Sequence, residues 1–137
     1  MQESNKDIIE VVWEKGRIIE GYDPAKFRQD ACGAWITRDK YGDKTSNFGW
    51  VIDHICPRSL LERHNVPEDA VNDVVNLQPM HWANDMSKGE SYPIFLSSRY
   101  AVEGDNITLV QSFIINDAVR TAVDKFFEPF FKSSSGE

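Results

Sequence analysis

Residues 49–56 read GWVIDHIC, and residues 74–90 read VVNLQPMHWANDMSKGE. In the first stretch an aromatic and aliphatic run ends in two adjacent ionisable groups, Asp53 and His54. Ile55, Cys56 and Pro57 follow. Neighbouring side chains on a strand point to opposite faces. An acid and an imidazole side by side therefore serve one site only where the strand ends or bulges, and the Cys56-Pro57 step fits an ending. In the second stretch, Val74–Met80 predicts a strand and Trp82–Ser87 a helix closed by Gly89. The two stretches together predict a strand, a long connection, a second strand and a short helix.

The flanks extend this pattern. Residues 4–15 predict a helix, with Ser4 as a candidate cap and apolar pairs Ile8/Val12 and Ile9/Trp13 at i,i+4, ended by Gly16. Asp23-Pro24 predicts a second short helix over 24–30. Ala34–Arg38 and Phe48–Ile52 read as the two strands of a hairpin, with 39–47 as its loop. Ser59 and Glu62 read as a capping box, and the acids after Pro67 as loop. Ile107–Ile115 is β-prone. Asn116 is placed to cap an amphipathic helix with Val119, Ala122, Val123 and Phe126 on one face. Phe126, Phe127, Phe130 and Phe131 read as core or as the surface of a homodimer. Residues 133–137 predict a disordered tail.

Composition narrows the class. The chain has 137 residues, 41% hydrophobic and 27% charged, which predicts one soluble domain over residues 1–132. No apolar run is long enough to span a bilayer, so no membrane partner is expected. The polar, acidic N-terminus is unlike a secretory signal, and a cytoplasmic location follows as the expectation. The net charge of −7 argues against a general nucleic-acid-coating protein but not against a local site. Cys32 and Cys56 form no CxxC pair and read as buried free thiols. Arg28 and Asp30 read as a structural ion pair, His64 as exposed, and His81 as structural.

The order and spacing of WVIDHICP, NLQPM and NDMSKG resemble the HNH nucleases, the ββα-metal family, whose pattern runs roughly DHI-x-P, NLQPL, N-x-x-KG. The match covers about residues 49–93, and WEKGRIIEGYDPAKFRQDACGAWITRDKYG resembles the lead-in of bacterial members. The resemblance implies an α+β fold with a ββα-metal core and flanking N- and C-terminal helices. It implies that Asp53 is a metal ligand, that His54 is the general base, that Asn76 holds the loop, and that Asp85 is the second ligand. Asn84, one residue away, is the alternative ligand. Lys88 matches the family's KG and is the expected phosphate contact. The family commonly has Asn or His where this chain has Asp85. Cysteines that carry a zinc ribbon in other members correspond here to His81 and Asn84, so no structural zinc is expected. The loop LLERHNVPEDAVND replaces the family's Gly-Gly turn.

The residue types suit the implied chemistry. Phosphodiester hydrolysis requires a deprotonated water, neutralised phosphate charge and a stabilised leaving oxygen. An imidazole suits the first task. A hard divalent cation, Mg²⁺ or Mn²⁺, on one or two oxygen ligands suits the others. The resemblance thus implies a metal-dependent endonuclease acting on DNA, and the family's usual products carry 5′-phosphate and 3′-hydroxyl ends. The rival is an inactive HNH-fold adaptor that binds nucleic acid or protein.

Overall fold

The computed structural model describes residues 5–134. It is a mixed α+β fold built from three separate two-stranded antiparallel sheets and five helices. Helix α1 spans Asn5–Trp13, and the chain leaves it at Gly16, whose N–H reaches the Trp13 carbonyl. The expected cap, Ser4, lies outside the described residues. Val12 and Trp13 are buried, with Ile8 and Ile9 partly so, as their spacing predicts.

The helix expected over 24–30 is not formed. Asp23 starts a turn, its side chain accepting from the Ala25 N–H. The chain then enters strand β1, Phe27–Gln29, which pairs with β2, Trp35–Thr37. Long-range pairing outweighs a local cap signal that has only a few residues to act on. The hairpin expected between 34–38 and 48–52 is also absent. Strand β3, Trp50–His54, pairs instead with β4, Leu77–His81. The preceding Gly49 is required, because a Cβ there would lie 1.8 Å from the Asp43 carbonyl oxygen.

The connection from β3 to β4 holds two short helices, α2 over Arg58–Arg63 and α3 over Glu68–Val71. The Ser59/Glu62 capping box does not form. Pro57 occupies the N-cap position, Ser59 bonds Glu90 and Glu62 pairs with Arg58. Val74–Asn76 is a 3-10 turn rather than strand. Helix α4, Trp82–Lys88, follows β4 directly. The His81 ring caps it, Nδ1 accepting from the Ala83 N–H at 3.0 Å while Nε2 meets the Asn47 carbonyl oxygen at 2.9 Å. His81 is therefore structural, as expected.

Strand β5, Ile94–Val102, has no counterpart in the sequence reading. It forms a long ribbon with β6, Asp105–Ile114, through a two-residue turn in which Glu103 and Gly104 both have positive φ. Helix α5 spans Asp117–Ser134, capped by Asn116 as expected. It continues two residues into the expected tail, and residues 135–137 lie outside the described residues. Its buried face is Val123 and Phe127, while Val119 and Ala122 are exposed. Phe126, Phe130 and Phe131 pack around that face against the chain's own core.

Two cores flank the β3–β4 pair. One joins α1 to Ile36, Trp50 and Leu77. The other joins Cys32, Ile55, Cys56, Leu61, Val71, Met80, Phe95, Val123 and Phe127. Both cysteines are free and buried, and burial pushes both thiols up. Arg28 and Asp30 do not pair. Arg28 donates to the carbonyls of Glu14, Gly16 and Pro24, and Asp30 accepts from the N–H groups of Cys32, Ala34 and His81. His64 is half-buried, its ring 4.5 Å from Phe131. No helix among the described residues is long and apolar enough to cross a membrane.

Candidate functional site

The register of β3 on β4 pairs Asp53 with Gln78 and His54 with Leu77. Alternation sends Asp53 and His54 to opposite faces of the ribbon. They share a site because β3 ends at His54. Both line a cleft of about 380 Å³ with Pro57, Arg58, Asp85 and Glu90.

Asp53 is 4% exposed. Its Oδ2 accepts from Gln78 Nε2 at 2.8 Å, a cross-strand pair on one face. The Asp85 carboxyl, one turn from the end of α4, lines the same cleft and acts electrostatically on Asp53. Burial pushes the Asp53 carboxyl up to about 7. Lys88 and Gln78 oppose that rise and Asp85 adds to it. Two oxygen-bearing acids held together at a cleft are a donor set that fits a hard divalent cation, which would relieve their mutual repulsion. Among the described residues, no group of three or more His, Cys, Asp or Glu side chains converges on one point. Asp53 and Asp85 are the two carboxyls of this cleft that could hold such an ion.

Asn84 does not face this cleft. It is fully buried, its Oδ1 accepting from the N–H groups of Ser98 and Arg99 at 2.7 and 2.8 Å. Its Nδ2 donates to Asp30 at 3.0 Å and to the Arg99 carbonyl at 3.3 Å. Both lone pairs of the amide oxygen are occupied, so the alternative ligand is spent on docking α4 to β5. Asn84 therefore faces the interior rather than the cleft.

Lys88 is also placed differently from the expectation. Its side chain is fully buried, with Nζ 2.9 Å from the His54 carbonyl oxygen, 3.4 Å from Asp53 Oδ1 and 5.9 Å from the centre of the Phe95 ring. A buried ammonium requires such partners. It cannot reach a phosphate in the cleft. Its role is to hold the end of β3 against α4 and to offset the Asp53 charge.

Asn76 clamps the connection. Its Oδ1 accepts from the Cys56 N–H at 2.8 Å, and its Nδ2 donates to the carbonyls of Cys56 and Val71 at 3.1 and 3.2 Å. One buried amide thus fixes both ends of the 56–71 segment.

Three residues of the site were not singled out in the sequence. Asn72 holds His54, whose Nε2 lies 2.8 Å from Asn72 Oδ1. That oxygen also accepts from Arg58 at 3.2 Å, while Asn72 Nδ2 donates to Glu68 at 3.0 Å. With Asn72 Oδ1 turned toward the ring, Nε2 is the donor of that hydrogen bond. Arg58 supplies the cation on the cleft wall and pairs with Glu68 at 2.7 Å. Arg58 and Asn72 hold the Glu68 carboxyl below its usual range. Gln78 is the third. Its signal was a polar residue at an inward strand position, whereas Asn72 and Arg58 carry no periodic signature.

Comparison with protein-family models, curated proteins and solved structures found no match.

Proposed function

We propose that this chain is a metal-dependent endonuclease of the ββα-metal type, hydrolysing DNA phosphodiesters with His54 as general base. The observation that carries the reading is the Asp53–Asp85 carboxyl pair at the cleft that His54 lines. Asp53 and Asp85 would hold a divalent ion, which when bound neutralises phosphate charge and stabilises the leaving oxygen.

The chain's own groups supply the rest. Asn72 accepts the Nε2 proton of His54 and fixes the tautomer, so Nδ1 is the nitrogen that takes a proton from the attacking water. The water oxygen bonds to phosphorus as the bond to the 3′ oxygen breaks, and the 3′ oxygen takes a proton from solvent. Arg58 on the cleft wall offers a cation to the phosphate in place of the buried Lys88. Gln78 and Lys88 fix the Asp53 carboxylate in orientation.

One observation favours the adaptor reading: Lys88 already places a positive charge 3.4 Å from Asp53. Incubating supercoiled plasmid with the protein in Mg²⁺ or Mn²⁺ separates the two. Hydrolysis predicts nicked or linear DNA that EDTA prevents. Plasmid unchanged across metals and salt concentrations selects the adaptor.

A further inference from the structure

A larger cavity, about 760 Å³, lies beside β1 and β2, away from the cleft. Its volume falls in the range of small-molecule pockets. Four aromatic residues line it: Tyr22, Phe27, Trp35 and Phe48. Tyr22 meets Trp35 edge-on at 4.9 Å and Phe27 at 5.9 Å. Tyr22 and Phe27 remain 41% and 39% exposed, high for rings that could have packed into a core.

Three cations share the wall, Lys26, Arg38 and Lys40, against one acid, Asp39. Arg38 is engaged by Glu10. Lys26 and Lys40 are exposed and form no ion pair among the described residues. In a chain of net charge −7, a cationic rim on an aromatic pocket runs against the overall balance. Trp35 Nε1 and the Thr37 hydroxyl are also buried without a hydrogen-bond partner, and both residues line the cavity.

An apolar ligand would have no use for the lysines, and a bare phosphate would have no use for four rings. An aromatic face joined to an anion satisfies both. We propose that this cavity binds one unpaired nucleotide of a nucleic-acid strand, its base against the Tyr22 cluster and its phosphates on Lys26 and Lys40. The six steps from Phe48 to His54 span no more than about 20 Å. Cavity and cleft therefore lie within the reach of one short strand. The inference goes beyond hydrolysis and does not depend on it.

The test is fluorescence anisotropy with a labelled short oligothymidine, the matching oligouridine and a duplex, in EDTA so that no cleavage intervenes, over a range of salt. Both single strands are expected to bind more tightly than the duplex, and the tighter of the two identifies DNA or RNA as the source of the nucleotide. Tyr22→Leu is expected to weaken binding roughly 5- to 100-fold, and Tyr22→Phe to retain it. Lys26→Ala with Lys40→Ala lowers the slope of log K on log salt by about 1.4, at about 0.7 per phosphate contact. These side chains are exposed, and circular dichroism verifies that each variant is folded. Unchanged affinity in Tyr22→Leu, an unchanged slope in the lysine double variant, or equal affinity for the duplex overturns the proposal. Plasmid cleavage is read separately, so its failure leaves this result standing.

Discussion

At His54, chemistry depends on which ring nitrogen carries the proton. In the proposed mechanism Asn72 orients the ring through one bond of 2.8 Å, and Asn72 is itself held by Glu68 and Arg58. His54→Ala is expected to lower cleavage by ~10²- to 10⁴-fold while leaving metal affinity near wild type, measured by single-turnover kinetics and calorimetry. Asn72→Ala, in contrast, frees the ring. It should lower kcat by about tenfold or more, shift the pH–rate profile, and add little to a His54→Ala background, because the two act as one unit. Equal losses that multiply in the double variant would show Asn72 acting elsewhere. Asp53 supplies a second signature. Burial raises its carboxyl from 3.8 to about 7. The folded protein therefore holds this proton longer than the unfolded chain does, and ionising the group costs stability as pH rises from about 4 and in full above about 7. In chelator-treated protein, the stability of Asp53→Asn relative to wild type in urea should rise across that window; a difference independent of pH would contradict the raised carboxyl. The types of these residues were legible from order and spacing. Asn72 was not, because its partner is 18 residues away and no period links them.

Among elements, α4 decides how the site is assembled. Asn84 and Asp85 are about 100° apart on a helix, so only one can face the end of β3. The register puts Asp85 there, while Asn84 is bonded to Asp30, Ser98 and Arg99. Asp85→Ala should raise the metal dissociation constant at least tenfold, about 1.4 kcal/mol, with little loss of stability. Asn84→Ala should do the opposite. It strands buried groups and costs about 2 kcal/mol or more in denaturant, with metal affinity near wild type. A titration with the reverse ranking would move the ligand by one residue. Lys88 divides two roles in the same way. As a buried partner of Asp53, its replacement by Ala leaves an uncompensated charge and should destabilise by about 3–5 kcal/mol. As a phosphate contact it would cost DNA affinity and no stability. The KG signature marked the position, but which way the side chain turns depends on Asp53 and Phe95, both distant in sequence.

Over the whole molecule, strong local signals survived and weak ones yielded to pairing. The helices α1 and α5, the Asn116 cap and the Gly89 stop were legible because they extend over several turns or end at a residue of special geometry, although Val119 and Ala122 of the face expected for α5 are exposed. Strand partners were not. Phe48–Ile52 and Ala34–Arg38 look like a hairpin along the chain, yet β3 pairs with β4 across two short helices, and that pairing builds the cleft. The β5–β6 ribbon was half-hidden because β5 mixes serine and arginine with its apolar residues. The C-terminal aromatics, legible as core or as a dimer face, pack on the second core. These placements converge on a single cleft with three acids, Asp53, Asp85 and Glu90, one imidazole and one arginine. The most direct measurement is cleavage of supercoiled plasmid by wild type and His54→Ala, side by side in Mn²⁺ or Mg²⁺. Metal-dependent hydrolysis predicts nicking by wild type that EDTA abolishes and that His54→Ala loses by at least about a hundredfold. Plasmid left intact by wild type in every metal, or cut equally well by His54→Ala, would contradict it.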